Sequence, residues 1–177
     1  MVCITALSLP SMMEIIAASR LRSSMSGLGG LLQLTRSNAI RTNQFMSVHF
    51  TTVKSRPVAF MKVATGGTSL NEKDQQQWFE DRFLKTDSPS GGPPLLDPTI
   101  MWNGLTSDPL RSEDPSFNPR GLPCLYDAAT GVCKPNVGFV YYFSYNAPIG
   151  HTKWAALGIS PAGRVKSWYW NGTKWGD

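Results

Sequence analysis

SMMEIIAASRLRSSMSGLGGLLQLTRSNAIRTN, residues 11–43, is the stretch whose reading decides the fold. It reads as one long helix, with a rise of about 1.5 Å per residue giving a rod of about 50 Å. Ser11 and Glu14 have the spacing of a capping box, and Pro10 stands just before them, where helices start or kink. The apolar pattern changes along the stretch. Met12, Met13, Ile15, Ile16, Ala17 and Ala18 are apolar nearly all round. Beyond them Leu21, Met25, Leu28, Leu32 and Ala39 make a single stripe, with Arg20, Arg22, Arg36 and Arg41 among the polar positions. A helix that is apolar all round and then one-sided leaves an apolar environment and lies down on a globular body. The alternative is a long amphipathic core helix. Gly27, Gly29 and Gly30 each cost about 1 kcal/mol against alanine in a helix interior. They imply a close approach of backbone, a bend, or a break.

Downstream the periodicity switches from 3.6 to 2. FMSVHFTTV (45–53) and RPVAFMKV (56–63) read as strands joined at a Lys-Ser turn. Residues 64–116 are less regular. Leu70–Phe83 reads as a short surface helix capped by Asn71, Ser88–Pro94 as a loop, and Thr99–Trp102 as a short strand. The C-terminal part is strongly β. VGFVYYFSY (137–145) is an aromatic strand, and TKWAALGIS (152–160) reads as buried on both faces. RVKSWYW (164–170) alternates, with Arg164, Lys166, Trp168 and Trp170 on one face and Val165, Ser167 and Tyr169 on the other. Asn171-Gly172 is a hairpin signal, and it accounts for the glycosylation sequon at 171–173. The expected class is α+β: a long N-terminal helix, residues 1–44, packed on an antiparallel β-sheet head, residues 45–177, with a variable insert at 64–116.

Two stretches carry a family resemblance. LSLPSMMEIIAASRLRSSMSGLGGLLQLTRSNAIRTNQF (7–45) resembles the N-terminal helix of type IV pilins and pseudopilins, in particular the minor class of pseudopilin H and FimT. Pro10 matches the proline that ends the family's apolar run, and LLQLTRSNAIRTNQ matches the run that closes its helix. FNPRGLPC (117–124), GFVYYFSY (138–145) and WAALGISPAGRVKSWYWNGTKW (154–175) resemble the family's closing strands. The family's leader, cleavage-site glycine, mature phenylalanine and early glutamate have no counterpart here, and Glu14 lies after the proline. Met1 falls where the middle of the apolar run is expected, so the reading is of a start truncated within a longer protein, with an incomplete anchor. The resemblance implies peptidase cleavage, N-methylation and storage in the bacterial inner membrane with a periplasmic head. It further implies packing with other pilins in a pilus or pseudopilus through a helix surface bearing Leu21, Met25, Leu28 and Leu32.

Composition bounds the other functions. Hydrophobic content is ordinary, charged residues are only 16%, and Gly (16) and Pro (13) are frequent, as in a loop-rich β protein. The net charge of +5 divides into a basic start, an acidic middle and a basic end, which argues against a uniform nucleic-acid binder. No window reaches the ~18 unbroken apolar residues of a membrane span. Cys3 lies in the apolar start. Cys124 and Cys133 flank a turn-rich segment and read as a disulfide in an oxidising compartment, the alternative being two free thiols. Asp108, Glu113 and Asp114 form an acidic loop without EF-hand spacing, read as solvated rather than as a cation site. His49 and His151 sit in no catalytic motif, so the chain is read as not an enzyme, with no cofactor or metal. The face of Arg164, Lys166, Trp168 and Trp170, with Lys174 returning beside it, suits nucleic acid, the alternative being tryptophans packed on the sheet with the cations solvated. Gly163-Arg164-Val165-Lys166 resembles the DNA-binding turn of FimT-like minor pilins, with Lys in place of the second Arg. A DNA-uptake minor pilin is thus the alternative reading, and a binding head with no filament role a third.

Overall fold

The computed structural model describes residues 9–86, 88–89, 91–97, 111–135, 137–147 and 151–176. The apolar start at 1–8, the expected strand at 99–102 and Asp108 lie outside them. The described helix, α1, runs unbroken from Leu9 to Thr42, through all three glycines. It ends where Asn43 turns left-handed (φ 53°) and Gln44 N–H reaches back to Ala39 O at 3.2 Å, closing the last turn as in a Schellman motif. The capping box is corrected. Leu9 already begins the helix, so Ser11 lies inside it, and the Glu14 carboxylate accepts a hydrogen bond from Lys153.

Among the described residues eleven strands follow: β1 Met46–Val53, β2 Arg56–Val63, β3 Gln76–Trp78, β4 Phe83–Thr86, β5 Ser116–Phe117, β6 Pro123–Asp127, β7 Val132–Lys134, β8 Phe139–Tyr145, β9 Lys153–Ile159, β10 Val165–Trp170 and β11 Trp175–Gly176. They form two antiparallel sheets. The first has the order β3-β2-β1-β5-β6-β7 and the second β11-β10-β9-β8-β4. The fold is therefore the expected α+β arrangement of one long helix on an antiparallel head. One core joins its parts. Leu21, Met25, Leu28 and Leu32 of α1 meet Val48, Ala59, Phe117, Phe139, Tyr141, Phe143, Leu157 and Ile159 from both sheets. Gly27 lies where Gln77 of β3 crosses the helix, and a Cβ there would stand 2.5 Å from the Gln77 amide oxygen. Buried Thr35 is satisfied by donating to Leu31 O at 2.7 Å.

The helix expected at Leu70–Phe83 is absent. Asn71 and Asp74 close a turn instead, Asn71 N–H donating to the Asp74 carboxylate at 2.8 Å and Asp74 N–H to Asn71 O at 3.1 Å. Gln76–Trp78 then pairs with the free edge of β2, Val58 opposite Trp78. The segment has no apolar stripe to bury as a helix, whereas the open edge of β2 satisfies its backbone donors and acceptors. Tertiary context overrides a weak local propensity here. The insert thus supplies an edge strand to each sheet, β3 to the first and β4 to the second.

The β1–β2 hairpin turns on Lys54 and Ser55, with φ of 48° and 67°. A two-residue turn with both φ positive is of type I′, which favours Asn-Gly. Holding side chains there costs about 1–2 kcal/mol per residue. Changing Lys54→Asn together with Ser55→Gly is expected to stabilise the protein by about 1 kcal/mol. The check is a higher denaturant midpoint at unchanged slope; an unchanged midpoint refutes it.

Candidate functional site

The basic-aromatic face was expected on the strand that is now β10. Antiparallel pairing with β9 sets Val165 opposite Ile159 and Tyr169 opposite Ala155. Val165 and Tyr169 therefore pack toward α1 and the main core. Lys166, Trp168 and Trp170 take the other face, as the alternation predicts. Trp168 is not on offer there. It is 1% exposed, in a second small core with Leu96, Val140, Tyr142 and Ala156. The segment at 91–97 forms a strap across this outer face. Leu96 inserts beneath it, with Leu96 N–H donated to the Tyr142 hydroxyl at 2.9 Å. Burial pushes the Tyr142 phenol above its ordinary pKa, partly offset by that hydrogen bond. Of the two readings of Trp168, a stacking platform or a ring packed on the sheet, its burial selects packing. The Lys166 ammonium sits 5.2 Å from its ring centroid.

Arg164 and Lys174 are both exposed but are not brought together. They flank opposite ends of β10, and at about 3.3 Å per residue that places them about 20 Å apart. Arg164 has another neighbourhood, which sequence reasoning missed. It follows Gly163 (φ +80°), in a turn closed by Gly163 N–H to Ser160 O at 2.7 Å and Arg164 N–H to the Ser160 hydroxyl at 3.0 Å. Gly121 (φ +74°) forms a second turn against it, and a Cβ on Gly163 would stand 3.0 Å from Gly121 O. Arg36 of α1 donates to Gly163 O at 3.0 Å. Arg36, Arg120 and Arg164 thus gather where the last turns of α1 meet two glycine turns. An Arg-Gly dipeptide at 120–121 and a Gly-Arg dipeptide at 163–164, far apart in sequence, were the signal, and nothing local joins them.

The helix residues expected to contact other subunits lie inward. Leu21 is 2% exposed, and Met25, Leu28 and Leu32 are fully covered by the chain's own head. The free apolar residues of α1 are Met12, Ile15 and Ile16 near its start, and Leu34 and Ile40 further along. Two polar clasps hold the early helix to the head. Glu14 accepts from Lys153 at 3.1 Å. That hydrogen bond and the lysine charge hold the Glu14 carboxyl below its ordinary value. Arg20 reaches the Glu80 carboxylate at 2.8 Å and the Tyr145 hydroxyl at 3.2 Å, while Tyr145 itself donates to Glu80 at 2.8 Å.

Compared with known protein families, curated proteins and solved structures, the chain matches none of them.

The remaining sequence candidates fall as follows. Cys124 and Cys133 are joined in a disulfide between β6 and β7, with their Cα atoms 5.4 Å apart. A loop of this length contributes about 2–3 kcal/mol on the chain-entropy estimate. Asp114 is engaged by His49, Nδ1 to Oδ2 at 2.9 Å, and Glu113 accepts from Ser112 N–H. Among the described residues no group of three metal-ligating side chains gathers. His49 is buried, and among the described residues its Nε2 has no hydrogen-bond partner. His151 is an exposed residue preceding β9. Among the described residues, no helix is long and apolar enough to cross a membrane.

Proposed function

We propose that this chain is a structural subunit of the type IV pilin and pseudopilin kind, of the minor pseudopilin H or FimT class, assembling with other pilins through its N-terminal helix. The observation that carries the reading is the division of α1. From Ala17 onward one stripe is sunk in the head, while Met12 and Ile15 stand 59% and 68% exposed before it. Such exposure of isoleucine and methionine on consecutive helical turns is costly in water and suits an apolar partner. Gly29 and Gly30 have no described residue within 4 Å of a would-be Cβ, so a neighbouring helix can approach the backbone there. The reading carries with it peptidase processing, N-methylation, an inner-membrane store and a periplasmic head, where the Cys124–Cys133 disulfide is at home.

The test uses the exposed residues rather than the buried stripe. Ile15→Asp with Ile16→Asp is expected to abolish recovery of the protein in sheared filaments or in cross-linked pseudopilin complexes from its own cells. The head should stay folded by circular dichroism. Incorporation at the wild-type level would sink the assembly role.

A second reading, a DNA-binding minor pilin, is favoured by the gathering of Arg36, Arg120 and Arg164 around the apposed glycine turns. Guanidinium groups at a turn suit phosphate contact. Arg164→Ala with Lys166→Ala is expected to weaken duplex binding about tenfold and to flatten its salt dependence by about two phosphate contacts. An unchanged salt slope in a fluorescence-anisotropy titration rejects that surface.

A further inference from the structure

The outer face of the second sheet carries a feature that the filament reading does not use. Trp170 pairs with Trp175 across β10–β11, their ring centroids 5.5 Å apart. The β9–β10 register, with Tyr169 opposite Ala155, continues to set Trp154 opposite Trp170. Three tryptophans therefore form one row across β9, β10 and β11, each partly exposed. The strap at 91–97 lies on part of this row. The Trp175 indole N–H donates to Pro94 O at 2.8 Å. Gly92 rests on Trp154 so closely that a Cβ would stand 2.5 Å from its ring. Beside the strap an open cleft of about 600 Å³ remains, walled by Pro93, Pro94, Trp154, Trp170 and Asn171. That volume lies within the range of binding sites, about 300–1,000 Å³.

We propose that this row is a docking groove for a proline-rich segment of another protein, bound as a polyproline II helix. The chain's own strap shows the mode of contact. The Trp175 indole N–H reads a proline carbonyl and glycine backbone lies on the Trp154 ring, which is how aromatic grooves hold such segments. Pro93 precedes Pro94, and both constraints favour the polyproline conformation for the strap. Having no backbone N–H, proline leaves no donor to be buried against the rings.

The experiment is a titration of the full chain with a proline decamer, followed by tryptophan fluorescence and by the indole N–H signals in ¹⁵N–¹H correlation spectra. A glycine-serine decamer and a β-linked glucose hexamer serve as comparison ligands. The expected result is saturable binding of the proline decamer that moves the Trp154 and Trp170 indole signals. Trp154→Ala and Trp170→Ala should each weaken it about tenfold. Because the indole signals are read on the wild-type protein, the outcome does not depend on whether the variants fold. No saturation by about 1 mM, equal binding of the glycine-serine decamer, or occupation of the row by the glucose hexamer alone overturns the proposal.

Discussion

Leu28→Ala is expected to lower the unfolding free energy by about 3–5 kcal/mol. Leu28 sits fully buried in the stripe that joins α1 to both sheets, beside Met25 and Leu32. Removing its side chain forfeits the transfer free energy of the lost carbons and leaves a cavity that an aromatic-rich core closes only in part. A domain of this size has a total stability of about 5–15 kcal/mol, so the change consumes a large share of it. Ile15→Ala, on the exposed start of the same helix, should cost less than about 0.5 kcal/mol. Equilibrium denaturant unfolding of the two variants decides the matter. If Leu28→Ala costs under about 1 kcal/mol, the helix is not held to the head as described. The contrast also governs assembly experiments. A failure of Leu21 or Leu28 variants to enter a filament reports unfolding, whereas a failure of Ile15 variants reports a lost contact.

Trp168→Ala should be as damaging, at about 3–5 kcal/mol. Its ring is fully enclosed between Val140, Tyr142, Ala156 and the strap residue Leu96. Without the ring, Leu96 loses a packing partner and the strap one of its anchors on the sheet. Trp170→Ala, two residues on and partly exposed, should cost no more than about 1 kcal/mol. Thermal unfolding of both variants would show it, a drop for Trp168→Ala much larger than that for Trp170→Ala. Equal drops would mean that the strap does not close over Trp168. Were Trp168 a stacking platform for nucleic acid, its loss would reduce DNA binding at unchanged stability, the reverse of the expected pattern.

The two tryptophans show how far the candidate site was legible. Strand alternation placed Trp168 and Trp170 on one face, because period 2 follows from the covalent geometry of a strand. It could not separate them, since the difference is made by Leu96, far away in sequence, whose apolar side chain covers one ring and not the other. The same limit applies to the arginines. Arg164 was legible beside its glycine turn, but Arg36 and Arg120 joined it only because the last turns of α1 cross two loops. The helix stripe was read correctly as a stripe. Its partner was not readable, because the same apolar face serves a core or a neighbouring subunit equally well.

By itself the sequence determined α1 as one long helix ending near Asn43, the β1–β2 and β10–β11 hairpins, the two-sided burial of β9, the Cys124–Cys133 pairing and the α+β class. Apart from the pairing of the two cysteines and the class that sums the elements, these follow from hydrophobic period and turn chemistry within each element. The tertiary structure alone decided that Leu70–Phe83 would extend a sheet edge, which face of α1 stays free, which tryptophan is buried, and which arginines meet. Those outcomes depend on pairings across large sequence separations. There the free energy of satisfying an open strand edge or covering an apolar ring outweighs local propensities of a few tenths of a kcal/mol per residue.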